Sequence, residues 1–143
     1  MNWPSIDPEN FKVDVLPSVS DERGNLTILD IPFAVPFPVR RLFFVDGVPP
    51  NVVRGQHAHF KCNQYLVCQR GKIRVELTDG KQVLSPILSP GQAVFIRAGI
   101  FASETYIDGN SLLMVLCDRP YESEDYIHTL DEFLRLRLRG AVC

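Results

Sequence analysis

Only three histidines occur in the chain, His57, His59 and His128, and two of them stand one residue apart in Arg54-Gly55-Gln56-His57-Ala58-His59. In an extended strand, residues i and i+2 project to the same face. His57 and His59 are therefore expected to present two imidazoles side by side. Such a pair has two chemical uses: it can ligate a metal, or it can carry protons near neutral pH. The four cysteines, Cys62, Cys68, Cys117 and Cys143, form no CxxC pair. Cys68 and Cys117 fall in apolar, strand-like runs and read as small core side chains; the terminal Cys143 reads as frayed.

The elements that must position the histidines are mostly short strands separated by turn residues. Phe11–Leu16, Leu26–Ile31, Val39–Val45, Gln64–Cys68, Lys72–Leu77, Gln82–Leu88, Ala93–Ile96, Glu104–Ile107 and Leu112–Leu116 are strand candidates. Asp79-Gly80 is a tight-hairpin signal. Strands at this spacing predict an all-β sandwich or jelly-roll barrel. The tail differs. Thr129 with Glu132 forms a capping-box pattern, and Leu130, Phe133, Leu134 and Leu138 give an apolar helical face, so a short C-terminal α-helix is expected. Arg135, Arg137 and Arg139 then read as a solvated face suited to the helix dipole.

Composition bounds the rest. The 143 residues are 45% hydrophobic and 22% charged, which predicts one globular domain over 1–143. A net charge of −2 argues against nucleic-acid binding by bulk electrostatics. No apolar run approaches the length of a membrane span, the best being Leu112–Cys117. The N-terminus lacks the basic and apolar regions of a signal peptide, so a cytoplasmic protein is expected. No glycine-rich dinucleotide fingerprint is present.

His-x-His entering a strand of an all-β chain resembles the cupins. Gln64 stands where the usual cupin pattern has a glutamate ligand, Gly71 matches the glycine that follows, and a second motif runs from Gly91 to Gly99 with Ala102 at its histidine position. Two of the four usual ligands are thus replaced by residues without charge or donor, which predicts no metal. Within cupins the chain is similar to the nucleotide-sugar 3,4-ketoisomerases related to the WxcM C-terminal domain. The resemblance rests on Asp21-Glu22-Arg23-Gly24-Asn25-Leu26, Ile31-Pro32-Phe33, Arg40-Arg41, Arg54-Gly55-Gln56-His57-Ala58-His59, Gln64–Cys68, Asp79-Gly80 and Tyr121–Ile127.

That resemblance implies a cupin jelly-roll isomerase acting on a dTDP-4-keto-6-deoxyhexose, in deoxyamino-sugar biosynthesis of the kind serving lipopolysaccharide O-antigen. It implies no cofactor, and a homodimer with exchanged N-terminal strands. Moving a carbonyl from C4 to C3 needs an acid and a base near neutrality and donors for an enediolate. His57 and His59 are the expected catalytic pair, in either order. Arg23, Arg54 and Arg74 are expected to meet the nucleotide diphosphate, and Gln64 a sugar hydroxyl or a histidine. The family commonly has tyrosine where this chain has Phe43-Phe44, and Trp followed by His or Arg where it has Phe101-Ala102. Three other classes compete: a sugar-nucleotide 3,5-epimerase, a non-catalytic nucleotide-sugar-binding module, and a metal-dependent cupin.

Overall fold

The computed structural model describes residues 2–142, with Ala141 and Val142 as backbone only; Cys143 lies outside the described residues. The strands are β1 (Asp14–Val15), β2 (Ser18–Asp21), β3 (Gly24–Thr27), β4 (Arg41–Asp46), β5 (Val52–His59), β6 (Gln64–Arg70), β7 (Ile73–Thr78), β8 (Val83–Leu84), β9 (Ile87–Leu88), β10 (Gln92–Ile96), β11 (Phe101–Tyr106), β12 (Leu112–Cys117) and β13 (Tyr126–Ile127). One helix, α1 (Leu130–Val142), follows. One sheet runs β1-β10-β6-β12-β4 and the other β13-β5-β11-β7-β8, with β9 also on β7. Their inner faces share one core, as a jelly roll does, but the ladder does not close into a barrel. The helix is not long and apolar enough to cross a membrane.

Strand patterns explain which face is which. On β7, Ile73, Val75 and Leu77 are buried while Arg74 and Glu76 are exposed, the alternation of a sheet with one wet face. Strand β6 is instead apolar on both faces. Leu66 and Cys68 enter the core between the sheets, whereas Tyr65 and Val67 face outward and are covered by Leu16, Val35 and Phe37 of the N-terminal region. Tyr65 donates its hydroxyl to Asp14 Oδ2 at 2.7 Å, which fastens β1 over that outer face. Pro86 separates β8 from β9 in the expected single strand Gln82–Leu88.

The tail folds as its capping pattern predicts: Thr129 Oγ1 accepts the Glu132 amide at 3.1 Å. Its arginines do not form a uniform solvated face. Arg137 Nη2 donates to the carbonyls of Pro4 and Gly99, each at 2.6 Å, and its guanidinium lies over Trp3 and Phe133, 5.5 Å from each ring centroid. Trp3 stacks on the fully buried Phe133 at 6.0 Å. Arg137 thus clamps the N-terminal segment to the sheet. By contrast, the β2–β3 hairpin and the segment after it expose Val19, Leu26, Ile31 and Phe33, the last at 91%.

Candidate active site

Strand β5 carries the histidines, and an irregularity in it decides what they share a face with. Ala102 pairs with His57, but Glu104 pairs with Arg54, so β5 accommodates one extra residue against β11. The extra residue is absorbed at Gly55, whose φ of 66° few side chains tolerate. Strict alternation from His57 would turn Arg54 to the opposite face. The bulge returns it to the inner face, in register with Glu104.

The two imidazoles do come together. Their ring centroids are 4.8 Å apart, edge to face. Tyr126 packs on both, at 5.1 Å from His57 and 4.5 Å from His59, and is itself stacked by His128 at 5.7 Å. The short strand β13 provides this wall, since Tyr126 pairs with His59. Just before it, the buried Asp125 meets His59, Oδ2 to Nδ1 at 3.0 Å, and accepts the amides of Lys61 at 2.8 Å and Cys62 at 3.1 Å. An acceptor on Nδ1 selects the tautomer with its proton there and leaves Nε2 as a bare lone pair. His59 Nε2 is buried and unpartnered.

Burial lowers the pKa of both rings. His57 falls to about 4, chiefly by loss of solvent and then by the neighbouring His59, His128 and Arg41. His59 is also lowered: burial outweighs the opposing attraction of Asp125. Both imidazoles are therefore neutral at pH 7.

A cavity of about 50 Å³ opens beside His57, lined also by Phe43, Arg54, Gln64, Glu104 and Tyr106. At roughly 30 Å³ per water in the liquid, this space takes the reacting edge of a small ring and no more. A wider groove of about 450 Å³ lies between α1 and the N-terminal residues. Its Asp79 and Arg137 are already committed to backbone hydrogen bonds, so the chemistry lies in the smaller space.

Of the residues expected at the site, four meet there. His57, Arg54 and Gln64 line the cavity, Arg54 exposed at its mouth, and His59 backs His57. Two do not. Arg74 projects from the exposed face of β7, because the inner positions belong to Ile73 and Val75. Arg23 sits at the tip of the β2–β3 hairpin, 84% exposed, with Nη2 on Asp21 Oδ2 at 2.6 Å. Within one chain neither reaches the histidines. Phe43 lines the cavity and Phe44 faces out, so the missing phenol of the resemblance belongs at Phe43.

Four residues gain roles that the sequence did not assign. Asp125 orients His59. Arg41 is the inward member of Arg40-Arg41. It stacks over Phe43 at 5.5 Å and Tyr121 at 5.7 Å, donates to Cys117 Sγ at 3.5 Å, and keeps its Nε buried without a partner. Cys117 is more than core filler: Cys62, Gln64 and Arg41 all donate toward its sulfur, which lowers its pKa. Glu104, buried opposite Arg54, is the fourth. The only sequence sign of it was a charge at a core-facing position of β11, between Ala102 and Tyr106.

The donor set fits a metal poorly. His59, Cys62 and Asp125 place possible ligand atoms within 4.8 Å of one another, but Asp125 already accepts three N–H groups, including that of His59 Nδ1. Across the strands from His57, Ala102 supplies only a methyl group.

Comparison with known proteins places the chain among relatives of the same fold. The family model described as FdtA: WxcM-like, C-terminal matches residues 9–138. The TDP-4-oxo-6-deoxy-α-D-glucose-3,4-oxoisomerase of Aneurinibacillus thermoaerophilus is 30% identical over 125 residues, 87% of this chain and 86% of that one. A 3,4-ketoisomerase from Helicobacter canadensis superposes with a TM-score of 0.82 at 29% identity, over 90% of this chain and 98% of that one. The sugar 3,4-ketoisomerase QdtA of Thermoanaerobacterium thermosaccharolyticum, solved with TDP, shares the fold with a TM-score of 0.84 at 22% identity, over 94% and 98%.

Proposed function

The chain belongs to the WxcM-like C-terminal family, and from that premise we propose that it is a nucleotide-sugar 3,4-ketoisomerase. It moves the keto group of a dTDP-4-keto-6-deoxyhexose from C4 to C3, as a single domain without metal or cofactor. The observation that carries this reading is the pair of neutral imidazoles 4.8 Å apart, one on the cavity wall and one held by Asp125.

The chemistry follows from what these groups hold. A neutral imidazole removes the proton from C3, and the electrons of that bond form the C3–C4 double bond of an enediolate. The C4 oxygen takes a proton, the C3 hydroxyl gives one up, and protonation at C4 completes the 3-keto product. Protons move and no electrons leave the sugar, so the reaction balances without an oxidant. His57, on the cavity wall, meets the sugar. His59, fixed by Asp125, stands behind it to accept or return a proton.

Arg54 at the mouth suits one phosphate of the nucleotide, and Gln64 suits a sugar hydroxyl. Arg23 belongs to a second copy's site: its hairpin and the segment after it expose enough apolar surface (Val19, Leu26, Phe33) to pack against another chain. A homodimer with exchanged N-terminal strands uses that surface. Arg74 lies on the outer face and is left out of the substrate site. The setting is the cytoplasm, in deoxyamino-sugar biosynthesis.

Incubation with TDP-4-keto-6-deoxyglucose in deuterium oxide, followed by NMR, tests this reading. The expected result is a 3-keto sugar carrying deuterium at C4. Exchange at C5 instead indicates an epimerase, and saturable nucleotide binding without turnover indicates a binding module. One bound metal ion per chain, required for turnover, overturns the metal-free mechanism. Sedimentation of the full chain reads the dimer.

A further inference from the structure

Glu104 is a carboxyl group that the fold itself has no use for. It is buried in the inner face of β11, and its Oε2 finds no hydrogen-bond donor. A buried oxygen of this kind is costly unless its partner arrives from elsewhere. Room for it is made by Gly55, where a Cβ would overlap the carboxylate. The bulge in β5 thus serves the acid as well as the histidines. The carboxyl borders the cavity that holds His57 and Gln64.

The groups facing Glu104 decide its charge. From β5 come the guanidinium of Arg54 and the neutral His57; on its own strand lies Tyr106; β7 and β12 bring the apolar Val75, Leu113 and Val115. Arg54 makes no ion pair with it, and its attraction is the weaker influence. Loss of solvent pushes the Glu104 carboxyl up to about 8, so at pH 7 it stands as a neutral acid. An acid of this kind, in a dry site, donates a hydrogen bond to an enolate-type oxygen. Arg54 stands at the exposed mouth of the cavity, whereas Glu104 lies buried in its wall. Phe43 brings no donor, and one of the two Gln64 N–H groups is directed at Cys117.

We propose that Glu104 is a further catalytic residue: it stands in the cavity as an uncharged acid and donates a hydrogen bond to the sugar oxygen on which enediolate charge develops. The proton stays on Glu104 through the step, so the atom balance of the isomerisation is unchanged. The proposal rests on the ketoisomerase reading and names the electrophile that reading leaves open.

The test compares wild type with Glu104→Gln and Glu104→Ala, on TDP-4-keto-6-deoxyglucose across pH, with TDP affinity measured in parallel. In wild type, kcat falls above about pH 8 as the donor is lost. Glu104→Gln keeps a neutral donor, so it loses about tenfold in kcat and loses that alkaline limb. Glu104→Ala loses on the order of 10²-fold or more in kcat with TDP affinity within a few fold of wild type. Infrared difference spectra add a readout independent of turnover: a protonated carboxyl band at pH 7 that disappears in Glu104→Gln. Absence of that band overturns the proposal. An unaltered alkaline limb in Glu104→Gln, or kcat within twofold of wild type in either variant, also overturns it. Wild type without turnover of any 4-keto sugar overturns the ketoisomerase reading itself, a result distinct from active wild type with indifferent variants.

Discussion

His59 Nδ1 lies 3.0 Å from Asp125 Oδ2, with both side chains buried and 66 positions apart in sequence. The contact exists because β13 pairs with the end of β5 and brings the Glu124-Asp125-Tyr126 block against the histidine strand. Asp125 is in turn held by the amides of Lys61 and Cys62, so the imidazole is turned by a carboxylate that cannot itself turn. Asp125→Asn keeps an oxygen for the amides but weakens the choice of tautomer on His59. The expected outcome is a loss on the order of 10²-fold in kcat with KM within a few fold of wild type. A kcat within twofold of wild type would show that the tautomer is immaterial.

Because His57 is held down to about 4, it remains an available base well below the usual imidazole range. The acid limb of kcat/KM, which reports the free enzyme, is expected between pH 4 and 5 instead of near 6.5. Stability carries the same sign. A folded-state value below the unfolded one means that the His57 contribution is complete above pH 6.5 and is lost as pH falls toward 4. Urea midpoints for wild type should therefore drop over that window more than those of His57→Asn. Parallel curves would contradict the depression.

Gly55 and Gly47 form a matched pair, with φ of 66° and 69°. A Cβ at Gly47 meets nothing, whereas one at Gly55 overlaps Glu104. Gly47→Ala should cost about 1–2 kcal/mol for its backbone conformation alone, and Gly55→Ala at least about 1 kcal/mol more, with loss of turnover. Denaturant titration of the two variants measures the difference. Equal losses would mean that the acid beside Gly55 moves aside freely.

The three arginines of α1 should separate in a stability scan. Arg137→Ala removes two charge-assisted bonds to carbonyls and the stacking on Trp3 and Phe133, and is expected to cost about 2 kcal/mol. Arg135→Ala and Arg139→Ala alter exposed side chains and should stay within about 0.5 kcal/mol. Thermal melts of the three variants check this, and equal shifts would return Arg137 to the solvated face.

Much of the fold was legible in local patterns. Turn residues at regular spacing marked the strands, and Thr129 with Glu132 marked the helix start, because backbone geometry and capping depend on near neighbours. The His57–His59 pair was legible for the same reason: a period of two puts both on one face. Arg74 marks where local reading ends. Its strand is regular, but which face is inward depends on Ile73 and Val75 finding the core.

Local chemistry therefore established the strands, the capped helix and the paired imidazoles, since each follows from residues a few positions apart. Tertiary structure decided everything that depends on strands distant in sequence. It chose Arg41 over Arg40 and Phe43 over Phe44, and it brought Asp125 to His59. It also used a one-residue bulge at Gly55 to face Arg54 and Glu104 into the cavity. The physical reason lies in the pairing register: one residue of slip turns a side chain to the opposite face, and register is set by the partner strand.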